Sequence, residues 1–209
     1  MDDFDQGKMV AEQIEARGVK DPRVLEVLRR IPRRVFVPDH LEEASLGDHA
    51  LPIGHKQTIS QPYIVGKMTE LLGVRPEHRI LEIGTGSGYQ AAVLSRLADQ
   101  VYSVEIVGSL ADEARERLRV LNIDNVTVCD GDGHIGWPGA APFDRILLTA
   151  APACVPEALA DQLASVGRLV APVGVSDQRI EVWDRGPEGL VKQTSIGVRF
   201  VPMVPANAN

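Results

Sequence analysis

From Arg79 onward the chain alternates short apolar runs with amphipathic stretches, and few folds accept that order. Runs of this kind read as strands buried on both faces of a parallel sheet, with the amphipathic stretches crossing over those faces as helices. Strands are predicted at 80–83, 101–105, 126–129, 145–149 and 169–173, and helices at 90–97, 109–121 and 156–163, the last closing near Gly167. Beyond them, 179–183 and 194–201 read as strands around turn material at 185–189, which predicts an antiparallel hairpin.

The segment before Arg79 reads differently. Asp21-Pro22 supplies an N-cap and a first-turn proline, and Val24, Val27, Leu28 and Ile31 recur at helical spacing until Pro32. An irregular stretch follows at 38–60, too long to be an idle connection. A further helix opens at Ser60-Gln61-Pro62, with Ile64, Met68, Leu71 and Leu72 on one face and Gly73 at its end. The expected organisation is one domain over 1–209: an N-terminal helical cap and loop (1–78), an α/β core (79–175) and C-terminal strands (176–209).

At 209 residues, 44% hydrophobic and 24% charged, the chain is long enough to bury a sizeable core and too apolar to stay disordered. Its 29 acidic residues outnumber 22 lysines and arginines, and a net charge of -7 repels phosphate backbones, so nucleic acid is not expected as a partner. Cys129 and Cys154 stand apart, without the spacing of a zinc site or a disulfide framework, which fits a reducing cytoplasm. The start MDDFDQ is acidic with no apolar core behind it, and no stretch approaches the ~18 apolar residues of a membrane span. Neither export nor a membrane is expected. The five histidines share no metal-ligand spacing and are given no role.

The chemistry gathers at the carboxyl ends of the predicted strands. Leu-Glu-Ile-Gly-Thr-Gly-Ser-Gly-Tyr at 81–89 leaves the first strand and opens the first helix, so its glycines let backbone N–H groups approach a ligand. Glu105, ending the next strand, puts a carboxylate where a ribose diol would lie, and turn and acid together are a nucleoside signal. Asp132-Gly133 after the third strand is either an adenine contact or a plain Asp-Gly turn. The GxGxG spacing is looser than the dinucleotide fingerprint, and no Tyr-Lys or His pair for hydride transfer accompanies it, which disfavours an oxidoreductase. Taken by itself, Ser60 is an N-cap; 198–202 is a sheet strand with a solvated Arg199 or a wall for a peptide; and Trp137 and Phe143 either border an adenine or pack locally.

These residues resemble the protein-L-isoaspartate O-methyltransferases, within the Rossmann-like S-adenosylmethionine-dependent methyltransferases, over nearly the whole chain. Besides the glycine turn, the resemblance rests on Leu-Pro-Ile-Gly at 51–54, Gln-Thr-Ile-Ser-Gln-Pro-Tyr at 57–63, Gly-Asp-Gly at 131–133, Ala-Pro-Phe-Asp at 141–144, Pro-Val-Gly at 172–174 and Val-Arg-Phe-Val-Pro at 198–202. It implies S-adenosylmethionine as cofactor, S-adenosylhomocysteine as product, isoaspartyl-containing proteins and peptides as substrates, and a cytoplasmic monomer. It makes Ser60 the active-site serine and assigns Gly84, Thr85, Gly86, Ser87 and Gly88 to the cofactor's methionine end, Glu82 to the cofactor site, Glu105 to the ribose, and Asp132 with Gly133 to the adenine. Ile59, Ser60, Val198 and Arg199 would meet the substrate. Leu46-Gly47-Asp48 stands where the family often has Tyr-x-Asp, and Lys56 where a small residue is frequent, both in the peptide-facing loop. Ser165-Val166-Gly167-Arg168 replaces paired glycines and is expected to be a helix-end variant.

Overall fold

The computed structural model describes residues 2–205. Its core is a seven-stranded sheet of β3 (Arg79–Ile83), β4 (Gln100–Glu105), β5 (Val126–Asp130), β6 (Phe143–Leu148), β7 (Leu163–Val173), β8 (Gln178–Gly186) and β9 (Gly189–Val198), in spatial order β5-β4-β3-β6-β7-β8-β9. The first five in that order pair parallel and the last two antiparallel. Helices α4 (Tyr89–Ser95), α5 (Gly108–Val120) and α6 (Glu157–Asp161) make the crossovers. This is the expected Rossmann-like α/β fold. The strand order reverses between β3 and β6, and in open sheets the crevice beyond the carboxyl ends at that point is where ligands bind.

The N-terminal cap comprises α1 (Asp2–Met9), short π and 3-10 turns to Arg17, α2 (Pro22–Arg30), the two-stranded β1 (Leu51–Gly54) and β2 (Gln57–Ile59), and α3 (Pro62–Leu72). Asp21 caps α2 as its sequence predicts, its side chain accepting from Arg23 N–H. In α3 the buried face is centred on Val65, Met68, Thr69 and Leu72, while Ile64 and Leu71 sit half-buried at its margins, a rotation from the predicted face. Burial of each such apolar side chain is worth about 1.5–3 kcal/mol and fastens the cap to the sheet, whose other face has its own cluster around Leu81, Phe143, Ile146 and Leu159.

Two segments differ from expectation. The stretch 38–60 is not irregular throughout, since β1 and β2 form an antiparallel hairpin closed by His55 and Lys56. Both turn residues have positive φ, 50° and 59°, a geometry in which Asn-Gly is favoured. Lys56→Gly is expected to stabilise the protein by about 0.5–1 kcal/mol, the left-handed penalty of a side chain less the entropy of an added glycine. A higher urea midpoint at unchanged slope would show it. The second difference is α6, which stops at Asp161 because Phe143 N–H takes the carbonyl of Gln162 at 2.9 Å and Leu163 enters the sheet opposite Phe143. The segment 165–168 is therefore an irregularity within β7 and not a helix end.

The C-terminal hairpin is longer than predicted: β8 runs to Gly186 and β9 starts at Gly189, leaving Pro187 and Glu188 as the turn. After Val198 the strand gives way to a strap across the carboxyl ends. Gln178 clamps Phe200 through both backbone groups, and Ala151 bonds Val201 and Met203. Among the described residues no helix is long and apolar enough to cross a membrane.

Candidate active site

The turn after β3 builds the floor of the crevice. Gly84, Gly86 and Gly88 have φ of 97°, 52° and 89°, which L side chains adopt only at a cost. At Gly84 a Cβ would lie 2.4 Å from Thr149 Oγ1, so the turn and the end of β6 touch with no room between them. Glu105 pins the turn from β4: one carboxylate oxygen accepts from Gly86 N–H at 2.7 Å and the other from Val107 N–H at 3.0 Å. Gly133 closes the third side, where a Cβ would come 2.4 Å from Ile83 Cγ2.

Among the described residues, cavities open above this floor, of which three adjoin one another. One is a groove of about 690 Å³ between the cap and the strap, walled by Arg17, Asp48, Ser60, Tyr63, Asp177 and residues 196–201. The second is narrow and lined by Ile59, Ser60, Met68, Thr85, Ser87, Gln90 and Phe200, and no charged side chain lines it. The third lies over Glu105, Ile106 and Gly133 under Met203. Thr58 and Thr149 line all three, so the cavities meet beside them.

Of the sequence-predicted residues, Ile59, Ser60, Thr85, Ser87, Gly84, Gly86, Glu105, Gly133, Val198 and Arg199 all line these cavities. Ser60 is half-buried between the groove and the narrow compartment. It is not the cap of α3, because Gln61 holds that position, and among the described residues its hydroxyl has no hydrogen-bond partner.

Three residues line none of these cavities. Glu82 is fully buried inside the sheet and lines no cavity, so the structure corrects its expected contact with a cofactor. Burial, with the Glu105 charge adding to it, raises the Glu82 carboxyl to about 8 against the pull of a Ser103 hydrogen bond. Gly88 packs against Ala114 of α5 behind the turn. Asp132 Oδ1 accepts from His134 N–H at 2.8 Å and lies 3.0 Å from His134 Nδ1, and its neighbour Gly133 lines the third cavity.

Sequence reasoning gave no role of their own to Thr58, Thr149 or Met203, whereas Phe200 stands in the segment 198–202 read as a possible wall for a peptide. Trp137 and Phe143 are packing residues, both edge-on to Tyr102. Asp48, in the loop that departs from the family pattern, is held by Arg17 at 2.9 Å and Gln61 at 2.8 Å, and Arg17 stacks on Tyr63 at 3.7 Å. Among the described residues no cluster of histidine, cysteine or carboxylate groups could hold a metal.

The crevice fits an adenosyl amino acid: a turn whose glycines leave no room for side chains, a carboxylate at the end of β4, and an uncharged pocket beyond. Comparison with known proteins places the chain in a family. The family model of protein-L-isoaspartate(D-aspartate) O-methyltransferase matches residues 5–208. A protein-L-isoaspartate O-methyltransferase of Picosynechococcus sp. is 50% identical over 94% of this chain and 88% of its own length. One from Methanoregula boonei is 49% identical over 94% and 91%. A solved protein-L-isoaspartate O-methyltransferase superposes with a TM-score of 0.86 at 28% identity, covering 96% of this chain and 66% of that one. A Plasmodium falciparum protein solved in complex with S-adenosyl-L-homocysteine has the same fold, with a TM-score of 0.85 at 23% identity over 97% and 99% of the two chains. The chain belongs to the protein-L-isoaspartate(D-aspartate) O-methyltransferase family.

Proposed function

We propose that the protein is a repair methyltransferase that moves a methyl group from S-adenosylmethionine to the free α-carboxylate of L-isoaspartyl residues in damaged proteins and peptides. The observation that carries this is the meeting of the open groove with the narrow compartment at Ser60, Thr58 and Thr149. The groove suits an extended peptide, and the compartment behind it suits the methionine end of the cofactor. Gly84, Thr85, Gly86 and Ser87 would hold that end, Glu105 the ribose and Asp132 with Gly133 the adenine. The chain is read as one methyltransferase unit working as a cytoplasmic monomer without nucleic acid, in keeping with its net charge of -7 and two free cysteines.

When bound, S-adenosylmethionine supplies an electrophilic methyl on sulfonium. An α-carboxyl group with a pKa of ~3.3–3.7 is already ionised at neutral pH, so the substrate needs no general base. The work left to the chain is alignment and exclusion of water. Ile59, Ile64, Val65, Met68 and Phe200 supply apolar wall beside the meeting point, and Ser60 donates a hydrogen bond that holds the carboxylate. Fixing the reacting groups in line can remove on the order of 7–11 kcal/mol of barrier in ideal cases. The methyl ester then closes to a succinimide without further catalysis.

The test is incubation with labelled S-adenosylmethionine and a matched pair of aspartyl and isoaspartyl peptides. Label in the isoaspartyl peptide alone is the expected result, and equal labelling of both, or of neither, overturns the reading. Ser60→Ala is expected to lower turnover about 10- to 100-fold, the loss of one hydrogen bond to a charged group, at about 1.5–3 kcal/mol. Since Gln61 holds the cap position, stability should change by less than about 0.5 kcal/mol. Calorimetric melting and initial rates on one preparation separate the two effects. Saturated turnover should be nearly flat between about pH 6 and 8, because no nucleophile remains to be deprotonated. Direct measurement of methyl transfer would sink the pre-ionised mechanism if the rate rose close to tenfold per pH unit.

A further inference from the structure

Beneath the glycine turn runs a chain of three polar side chains closed off from solvent. Glu82, in the central strand, meets Ser103 Oγ through Oε2, and Ser103 Oγ lies 2.6 Å from Thr85 Oγ1. Glu82 and Ser103 are fully buried and Thr85 is 3% exposed. Among the described residues the second oxygen of Glu82 has no partner. At the other end, Thr85 lines the narrow compartment.

Each hydroxyl carries one proton, so the chain has two polarities. With Glu82 ionised, Ser103 donates to it, Thr85 donates to Ser103, and Thr85 is left with only lone pairs for a ligand. With Glu82 protonated, the carboxyl donates to Ser103, Ser103 to Thr85, and the Thr85 proton turns outward. Burial favours the protonated form and so does the charge of Glu105 on β4; on the other flank, β6 presents only Leu147 and Leu148. The compartment offers a ligand carboxylate no cation, so that charge must be met by N–H and O–H donors.

We propose that Glu82 is a positioning residue which, through Ser103, fixes Thr85 as a hydrogen-bond donor to the carboxylate at the amino-acid end of S-adenosylmethionine. The inference rests on the cofactor assignment made above. It gives a buried acid that touches no ligand a defined effect on one.

The test is calorimetric titration with S-adenosylhomocysteine from about pH 6.5 to 9.5 for the native protein, Glu82→Gln and Ser103→Ala. The Gln amide donates to Ser103 without ionising and holds the outward polarity at every pH. Native affinity should match that of Glu82→Gln near pH 6.5 and fall about tenfold below it by pH 9.5. Titration of the ligand's own amino group is common to all three proteins and cancels in the ratio. Ser103→Ala should bind more weakly throughout, without the extra fall. A ratio of native to Glu82→Gln that stays constant with pH overturns the proposal, and so does the full native fall persisting in Ser103→Ala, which decides the matter should Glu82→Gln fail to fold. Absence of S-adenosylhomocysteine binding by the native protein at any pH is a different result, overturning the cofactor assignment and the proposal with it.

Discussion

Gly84→Ala is expected to weaken S-adenosylhomocysteine binding at least 100-fold and to destabilise the protein by about 3 kcal/mol. Two effects add at this position. The backbone is held at φ 97°, where a side chain costs roughly 1–2 kcal/mol. The added Cβ would also lie 2.4 Å from Thr149 Oγ1, a hydroxyl that donates to the carbonyls of Ile83 and Gly84 and so joins β3 to the end of β6. Relief requires Thr149 to move, and Thr149 lines all three cavities. A 100-fold change corresponds to about 2.7 kcal/mol, well within what displacement of a binding wall produces. The double variant Gly84→Ala/Thr149→Ala separates the terms: it should recover the clash component of stability and keep the backbone penalty. Calorimetric binding and urea unfolding on the four proteins of the cycle read both quantities. Binding by Gly84→Ala within threefold of native would show that the turn does not hold the ligand.

The same contact explains what could be read from the sequence. The parallel strands were legible because strands buried on both faces are continuous apolar runs, and the places of Glu105 and Gly84 in the crevice were legible because they follow from standing at strand ends. Thr149 and Thr58 were not. Their importance comes from the convergence of β6 with a hairpin whose turn, His55-Lys56, lacks the Asn-Gly signal, and whose first strand carries Pro52. The α6 boundary was misread because Leu163 suits a helix end and a strand start equally, and pairing with Phe143 decided it.

One correction was within reach of the sequence. Glu82 sits between Leu81 and Ile83 in a strand already predicted to be covered on both sides. A carboxyl group there cannot reach the crevice, and it must be neutral or paired.

The cost of keeping that carboxyl buried should be visible in stability. Its pKa is about 8 in the folded protein against 4.5 for the unperturbed group. Below pH 4.5 both states hold the proton and nothing is lost. Between 4.5 and 8 the unfolded chain releases a proton that the folded protein keeps, so unfolding gains about 1.4 kcal/mol for each pH unit. Above 8 both states are ionised and the slope vanishes, leaving a total on the order of 5 kcal/mol. Glu82→Gln has no proton to release. Its stability relative to the native protein should therefore rise from pH 5 to pH 8, at roughly 2–4 °C of melting temperature per kcal/mol for a chain of this size. Asp21 and Glu70, whose carboxyls are held low, and His78, whose ring is held low by burial, impose their own pH slopes, but these are present in both proteins and cancel in the difference. Melting temperatures of the pair at half-unit steps decide the matter. A difference that stays constant across the range would mean that Glu82 is charged in the folded protein.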